Sequence, residues 1–176
     1  MLRLLLLRHA EAVPAAGGRD MDRRLTPEGQ DAAWRMGAYL RASGEKPDLA
    51  LVSPAQRTIE TLDEIERALG LRLARTVALS LYQSNMTTLV ALLAKTPATV
   101  RDLLVIGHNP GLAESANALS KRGAAADLAR LRTQFPAPCL AVIAFEATDW
   151  RKAFRERGRL DRFITPAALQ KSEEGA

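Results

Sequence analysis

Leu4-Leu5-Leu6-Leu7-Arg8-His9-Ala10-Glu11 is an apolar run that ends abruptly on a guanidinium and an imidazole. With Leu2 before it, and only Arg3 interrupting, it reads as a strand buried on both faces of a parallel sheet, because a strand with one wet face would alternate apolar and polar residues. The loop that opens at its end is therefore where chemistry is expected. The chain has two histidines, His9 and His108, and each follows an apolar run.

Working outward, the same strand-loop-helix pattern recurs. Residues 49–52 (Leu-Ala-Leu-Val) form a second buried strand, and Ser53-Pro54 reads as a cap followed by a first-turn proline for a helix whose apolar face is Ile59, Leu62, Ile65 and Leu69 and whose end is Gly70. Arg57 falls in the first turn of that helix, where side chains and backbone N–H groups can meet an anion. Residues 103–106 form a third clear strand running into Gly107-His108-Asn109-Pro110, with a helix carrying Leu112, Ala116 and Leu119. Thr26 is placed to cap a helix with Pro27 in its first turn and Ala33, Met36 and Leu40 at helical spacing. The remainder predicts a short strand over 76–79, a helix bearing Leu89, Val90, Leu92 and Leu93, a helix over 124–131, a strand over 140–145 and an edge strand over 159–164. Residues 1–169 are expected to form a single domain and 170–176 a polar C-terminal tail.

At 176 residues, 47% hydrophobic and 26% charged, the chain can bury one core but not two. The N-terminal apolar run is too short for a membrane span and lacks a signal-peptide cleavage site, so a soluble, cytoplasmic protein is the expectation. One cysteine, Cys139, excludes an internal disulfide and is expected to be an inert core thiol. No CxxC or HExxH spacing exists, and we expect neither a metal nor a cofactor. The net charge of +5 is spread along the chain, which suits a solvated surface better than a nucleic-acid face. Trp34 and Trp150 are expected in packing.

Strands alternating with helices argue for an α/β fold, a doubly wound and mostly parallel sheet with helices on both faces, in which ligands bind beyond the carboxyl ends of the strands. If the first, second and fourth strands are neighbours, Arg8, His9, Arg57 and His108 converge there. Two guanidiniums and two imidazoles suit a phosphoryl group, whose transfer passes through a loose transition state with charge spread over three equatorial oxygens. The nucleophile must be a neutral imidazole with a free lone pair, which a backbone carbonyl accepting from its other nitrogen can enforce; His9 is the candidate. His108, beside the transferring oxygens, is expected to be protonated, so that the two imidazole pKa values are pushed apart and the rate profile is bell-shaped.

Leu7-Arg8-His9-Ala10 resembles the signature of the histidine phosphatase superfamily, the phosphoglycerate-mutase-like proteins, with alanine where the motif has glycine. Leu25-Thr26-Pro27-Glu28-Gly29, Val52-Ser53-Pro54 with Arg57 and Thr58, and Gly107-His108-Asn109-Pro110 are similar to later motifs of that family in the same order. The compact length and Asp22-Arg23-Arg24-Leu25-Thr26 are most similar to the SixA-type phosphohistidine phosphatases. The resemblance implies His9 as phosphate acceptor, Arg8, Arg57 and His108 as the phosphate pocket, and Arg23 as a further phosphate or substrate contact. It also implies a monomeric enzyme acting on a phosphohistidine-bearing protein of phosphorelay or phosphocarrier type; a small phosphate ester as substrate, or a noncatalytic phosphate-binding module, are the alternatives.

One departure from the mutase-like pattern bears on the substrate. No Asp or Glu lies between Glu66 and Asp102, where those relatives place a catalytic carboxylate. A general acid must come from Glu11, Asp20 or Asp22, or be dispensable. An alkoxide leaves poorly without a proton, whereas the imidazole of a protonated phosphoramidate leaves readily, so the gap leans toward phosphohistidine.

Overall fold

In the computed structural model, residues 1–156 and 158–174 are described, without the side chains of 156 and 171–174. Seven strands form one sheet: β1 (Leu2–Arg8), β2 (Leu49–Val52), β3 (Arg75–Val77), β4 (Asp102–Gly107), β5 (Ser120–Gly123), β6 (Leu140–Phe145) and β7 (Gly158–Ile164), in the order β3-β2-β4-β1-β6-β7-β5. Pairings β3-β2, β2-β4, β4-β1 and β7-β5 are parallel, and β1-β6 and β6-β7 antiparallel.

The leucine run of β1 explains the two-layered cover. Alternate side chains leave a strand on opposite faces, so Leu2, Leu4 and Leu6 enter one apolar cluster and Leu5 and Leu7 another. β4 divides in the same way, Leu103 and Val105 to one side and Leu104 and Ile106 to the other. Helices α1 (Pro27–Ala42), α2 (Gln56–Leu69) and α7 (Pro166–Glu174) cover the second face through Met36, Leu40, Leu62, Ile65 and Leu169. Helices α3 (Met86–Leu93), α4 (Gly111–Leu119), α5 (Ala125–Thr133) and α6 (Trp150–Glu156) cover the first through Leu89, Leu93, Leu112, Leu131 and Trp150. Each such side chain contributes about 1.5–3 kcal/mol on burial, and the helices cannot leave the sheet without exposing several at once.

Several expectations are corrected. Thr26 caps α1 as expected, its Oγ1 accepting from Gly29 N at 2.9 Å, but α2 starts at Gln56 with Ala55 at its cap and no side-chain cap bond. Ser53 is engaged elsewhere: its hydroxyl meets His108. The strand at 159–164 is not an edge, because β5 pairs outside it. β5, Ser-Lys-Arg-Gly, carries no apolar side chain and gave no strand signal. β3 starts one residue before and ends two residues short of 76–79, and its three residues are exposed. The tail expected from residue 170 is helical through Glu174, in α7, and residues 175–176 lie outside the described residues. Trp150 is buried, its Nε1 donating to the Val100 carbonyl, but Trp34 stands 42% exposed. Cys139 is buried, and burial pushes its thiol pKa up, as an inert core thiol requires. Among the described residues no helix is long and apolar enough to cross a membrane.

Candidate active site

β2, β4 and β1 are adjacent and parallel, so their carboxyl ends share one edge, with Val52 opposite Ile106 and Arg8 opposite Gly107. His9 N donates to Gly107 O at 3.1 Å, fastening the residue after β1 to the residue before His108. Arg57 arrives on the first turn of α2. The four residues expected to converge do so.

His9 Nδ1 donates to the Ala10 carbonyl at 2.7 Å, which leaves Nε2 unprotonated; Arg57 Nε donates to that nitrogen at 3.3 Å. Burial lowers the His9 pKa to about 4, against the upward pull of the Ala10 carbonyl, and Arg57, Arg8 and Arg23 add to the depression. The neutral imidazole, unprotonated at Nε2, is therefore the resting form at pH 7. Thr61 ties its loop to α2: Ala10 N donates to Thr61 Oγ1 at 3.1 Å, and that hydroxyl donates to the Arg57 carbonyl at 2.6 Å.

Arg8 Nη1 donates to Phe135 O at 2.8 Å, a carbonyl that Asn109 Nδ2 also reaches at 2.9 Å. Its Nε is buried without a hydrogen-bond partner, and desolvation lowers its pKa. Arg57, 5% exposed, makes three further bonds besides the one to His9: it meets His108 Nδ1 at 3.3 Å from Nη2, the Asp20 carbonyl at 2.7 Å from Nη1, and Asp20 Oδ2 at 2.9 Å from Nη2.

His108 does not match the expectation of a protonated imidazole. It is 8% exposed, its Nε2 lies 2.8 Å from Ser53 Oγ, and its ring is 5.1 Å from that of His9. With Nδ1 accepting from Arg57, Nε2 carries the proton and donates to Ser53. Burial, then His9 and Arg57, lower its pKa to about 3. Both imidazoles are thus neutral at pH 7.

The other expected contacts are distributed differently. Arg23 reaches the pocket through Asp20: Nη1 donates to Asp20 Oδ1 at 3.0 Å while Nε donates to Val13 O at 2.6 Å. The Asp22 carboxylate is turned outward to Arg19 Nε at 2.8 Å. Glu11 is exposed and lines a separate groove with Glu28, Asp31 and Arg35. Of the three carboxylates considered as acids, only Asp20 meets Arg57 or Arg8 among the described residues. It also accepts from the Tyr82 hydroxyl at 2.7 Å, and Tyr82 stands edge-on to His108 with ring centroids 5.5 Å apart. The sequence places Ser53 in a family-like motif, but as a helix cap, and Tyr82 at the start of a loop, 82–86, expected to bear on substrate choice; it marks neither of their contacts, 55 and 62 positions away, and gives no signal at Thr61. No group of three or more His, Cys, Asp or Glu gathers as a metal site among the described residues.

Comparison with known proteins gives the same grouping. The histidine phosphatase superfamily (branch 1) matches residues 4–134. An uncharacterized protein of Mycobacterium leprae is 30% identical over 148 residues, 84% of this chain and 89% of its own. Among solved structures, a candidate phosphohistidine phosphatase SixA from Nakamurella multipartitia superposes with a TM-score of 0.83 at 28% identity, covering 95% of this chain and 97% of its own. Another from Agrobacterium tumefaciens gives 0.79 at 29%, covering 94% and 98%. The chain belongs to the histidine phosphatase superfamily.

Proposed function

We propose that the protein is a metal-independent phosphohydrolase that removes phosphate from phosphohistidine on a protein through a phosphohistidine intermediate on His9. The observation that carries this reading is the His9 ring itself: Nδ1–H donates to Ala10 O at 2.7 Å, and the unprotonated Nε2 faces the arginine pocket, its lone pair met by Arg57 Nε at 3.3 Å. A pocket that only bound phosphate would need its cations but not a nucleophile held in one tautomer.

Nε2 attacks phosphorus while Arg8, Arg57 and His108 surround the equatorial oxygens, and the guanidiniums supply the charge stabilisation that a metal ion supplies elsewhere. The Ala10 carbonyl keeps a proton on Nδ1, so His9 departs as neutral imidazole when water attacks the intermediate. The substrate assignment rests on the leaving group. The carboxylate at the pocket, Asp20, is held well below the usual carboxylate range by the Tyr82 hydroxyl, then Arg23 and Arg57, and an ionised carboxylate cannot donate a proton to an alkoxide. The SixA-described structures at 28% and 29% identity support the same choice.

The test is turnover in the presence of chelator on a histidine peptide phosphorylated on its ring, with rapid acid-free quenching to trap phosphate. Acid-labile label on His9 is expected, with His9→Ala losing at least about 10²–10⁴ of the rate. Retention of more than a few per cent of activity by that variant, or full dependence on a divalent ion, contradicts the assignment.

A further inference from the structure

Asp20 stands between two spaces. On its inner side lies Arg57, bonded to both its carboxylate and its carbonyl, with His9 and His108 beyond. On its outer side is an open groove of about 490 Å³ lined by Arg19, Asp20, Met21, Asp22, Gln56 and Tyr82. A leaving group attached to a phosphoryl at Arg57 and extending into this groove passes Asp20. The carboxylate is 44% exposed there. It is faced by Arg57 from α2, by Arg23 from its own loop, and by the Tyr82 hydroxyl, with the His108 ring behind Tyr82.

Phosphohistidine and phosphate esters differ most on the leaving side. The P–N bond breaks readily when the other ring nitrogen carries a proton, because the ring then departs neutral. That N–H bears positive charge and calls for an acceptor. The departing oxygen of an ester offers no such donor and calls for a proton instead. An ionised carboxylate is acceptor-only, so it serves the first case and opposes the second.

We propose, resting on the phosphohistidine reading above, that Asp20 is the specificity-determining residue of the site: where the phosphate pocket meets the outer groove, its carboxylate accepts the ring N–H of the protonated phosphoimidazole. The His9 Nε2 lone pair forms the new N–P bond as the substrate P–N bond breaks. The released electron pair goes to the leaving nitrogen and neutralises the substrate ring, which keeps its N–H on Asp20. Water then forms the O–P bond, the His9 N–P bond breaks, its electron pair restores the Nε2 lone pair, and dihydrogen phosphate leaves with both water protons. Asp20 thus does for the substrate ring what the Ala10 carbonyl does for His9, one acceptor behind each of two imidazoles that exchange a phosphoryl group. The same negative charge competes with ester dianions for Arg57.

The experiment compares Asp20→Asn and Asp20→Glu with the parent on two probes, a histidine peptide phosphorylated on its ring with phosphoramidate and para-nitrophenyl phosphate. In Asp20→Asn, kcat/KM on the peptide is expected to fall about tenfold to a hundredfold, whereas the aryl phosphate, whose leaving group needs neither donor nor acceptor, is expected to be turned over faster. The alkaline limb of kcat on the peptide shifts to lower pH, because the ring proton is held less firmly, and Asp20→Glu restores part of both effects. Equal losses on the two probes with an unmoved pH limb would mean that Asp20 merely holds Arg57 in place, and would overturn the proposal, as would an unchanged ratio. A parent that hydrolyses the ester but never the phosphopeptide sinks the proposed function, and this inference with it. A parent active on the phosphopeptide whose Asn variant keeps the parent's ratio sinks the Asp20 assignment alone.

Discussion

The proposed reaction depends on one proton per imidazole. From the sequence, the His9 tautomer could be anticipated, because a strand-end histidine needs only its neighbour's carbonyl to fix it. The state of His108 could not, since the groups around it, Ser53 and Arg57, arrive from 55 and 51 residues away. The structure lowers both pKa values, to about 4 for His9 and about 3 for His108, so the bell-shaped profile expected from a neutral–cationic pair has no basis in the free enzyme. A group whose pKa is depressed stays neutral until pH falls through the lowered value. The expected kcat/KM profile, which reports the free enzyme, is level from neutral pH downward and declines only near the His9 value of about 4. It is to be measured with an aryl phosphate and corrected for that substrate's own ionisation. An acid limb centred at the unperturbed histidine value of about 6.5 would count against a buried, neutral nucleophile.

At the level of elements, capping and periodicity made α1 legible from Thr26 to Leu40, and the uninterrupted leucines made β1 legible. What failed were the places where a local signal was claimed by a distant partner: Ser53, read as a cap, is taken by His108, and β5 is a strand only because β7 offers it a ladder. The Thr-Pro-Glu-Gly motif at the start of α1 has a steric reason. A Cβ on Gly29 would stand 2.1 Å from the Glu11 carbonyl oxygen, an atom that also accepts from Thr26 N at 3.1 Å. The helix start is therefore the wall against which the loop after His9 rests. Gly29→Ala is expected to cost about 1–3 kcal/mol through overpacking and to lower kcat by displacing that loop. Gly18→Ala, with nothing within 4 Å of its added Cβ, is the control that should do neither. Urea unfolding and turnover measured on the two variants check both parts, and a Gly29→Ala protein with parental stability would show that the loop yields freely.

Across the whole molecule, site and anchorage occupy different ends of the sheet. Arg8 closes β1 at the pocket, whereas Arg3 near its beginning reaches Glu45 at 2.5 Å, and Arg162 of β7 bonds the same carboxylate. Glu45 is 2% exposed, so its removal leaves two cations at a buried position. Glu45→Ala is expected to cost about 3 kcal/mol, the lower end for a broken buried pair, since both arginines keep some access to water. Well below its melting temperature the variant should retain parental kcat; a loss of kcat by the still-folded protein would mean that the two ends are coupled. The fold class followed from strands alternating with helices, and the meeting of Arg8, His9, Arg57 and His108 from placing the first, second and fourth strands side by side, but the Glu45 cluster, assembled from three distant segments, had no sequence signature.

The rung that pairs Arg8 with Gly107 has an evolutionary corollary. His9 and His108 are kept level by counting residues along two neighbouring strands, and the same count decides which leucines face which layer of helices. A single deletion in β1 turns every side chain beyond it to the opposite face, so it ruins the core in the same stroke as the pocket. Loss of catalysis with the scaffold kept therefore cannot come from a deletion inside β1, and the length of this strand should outlast the reaction it aligns.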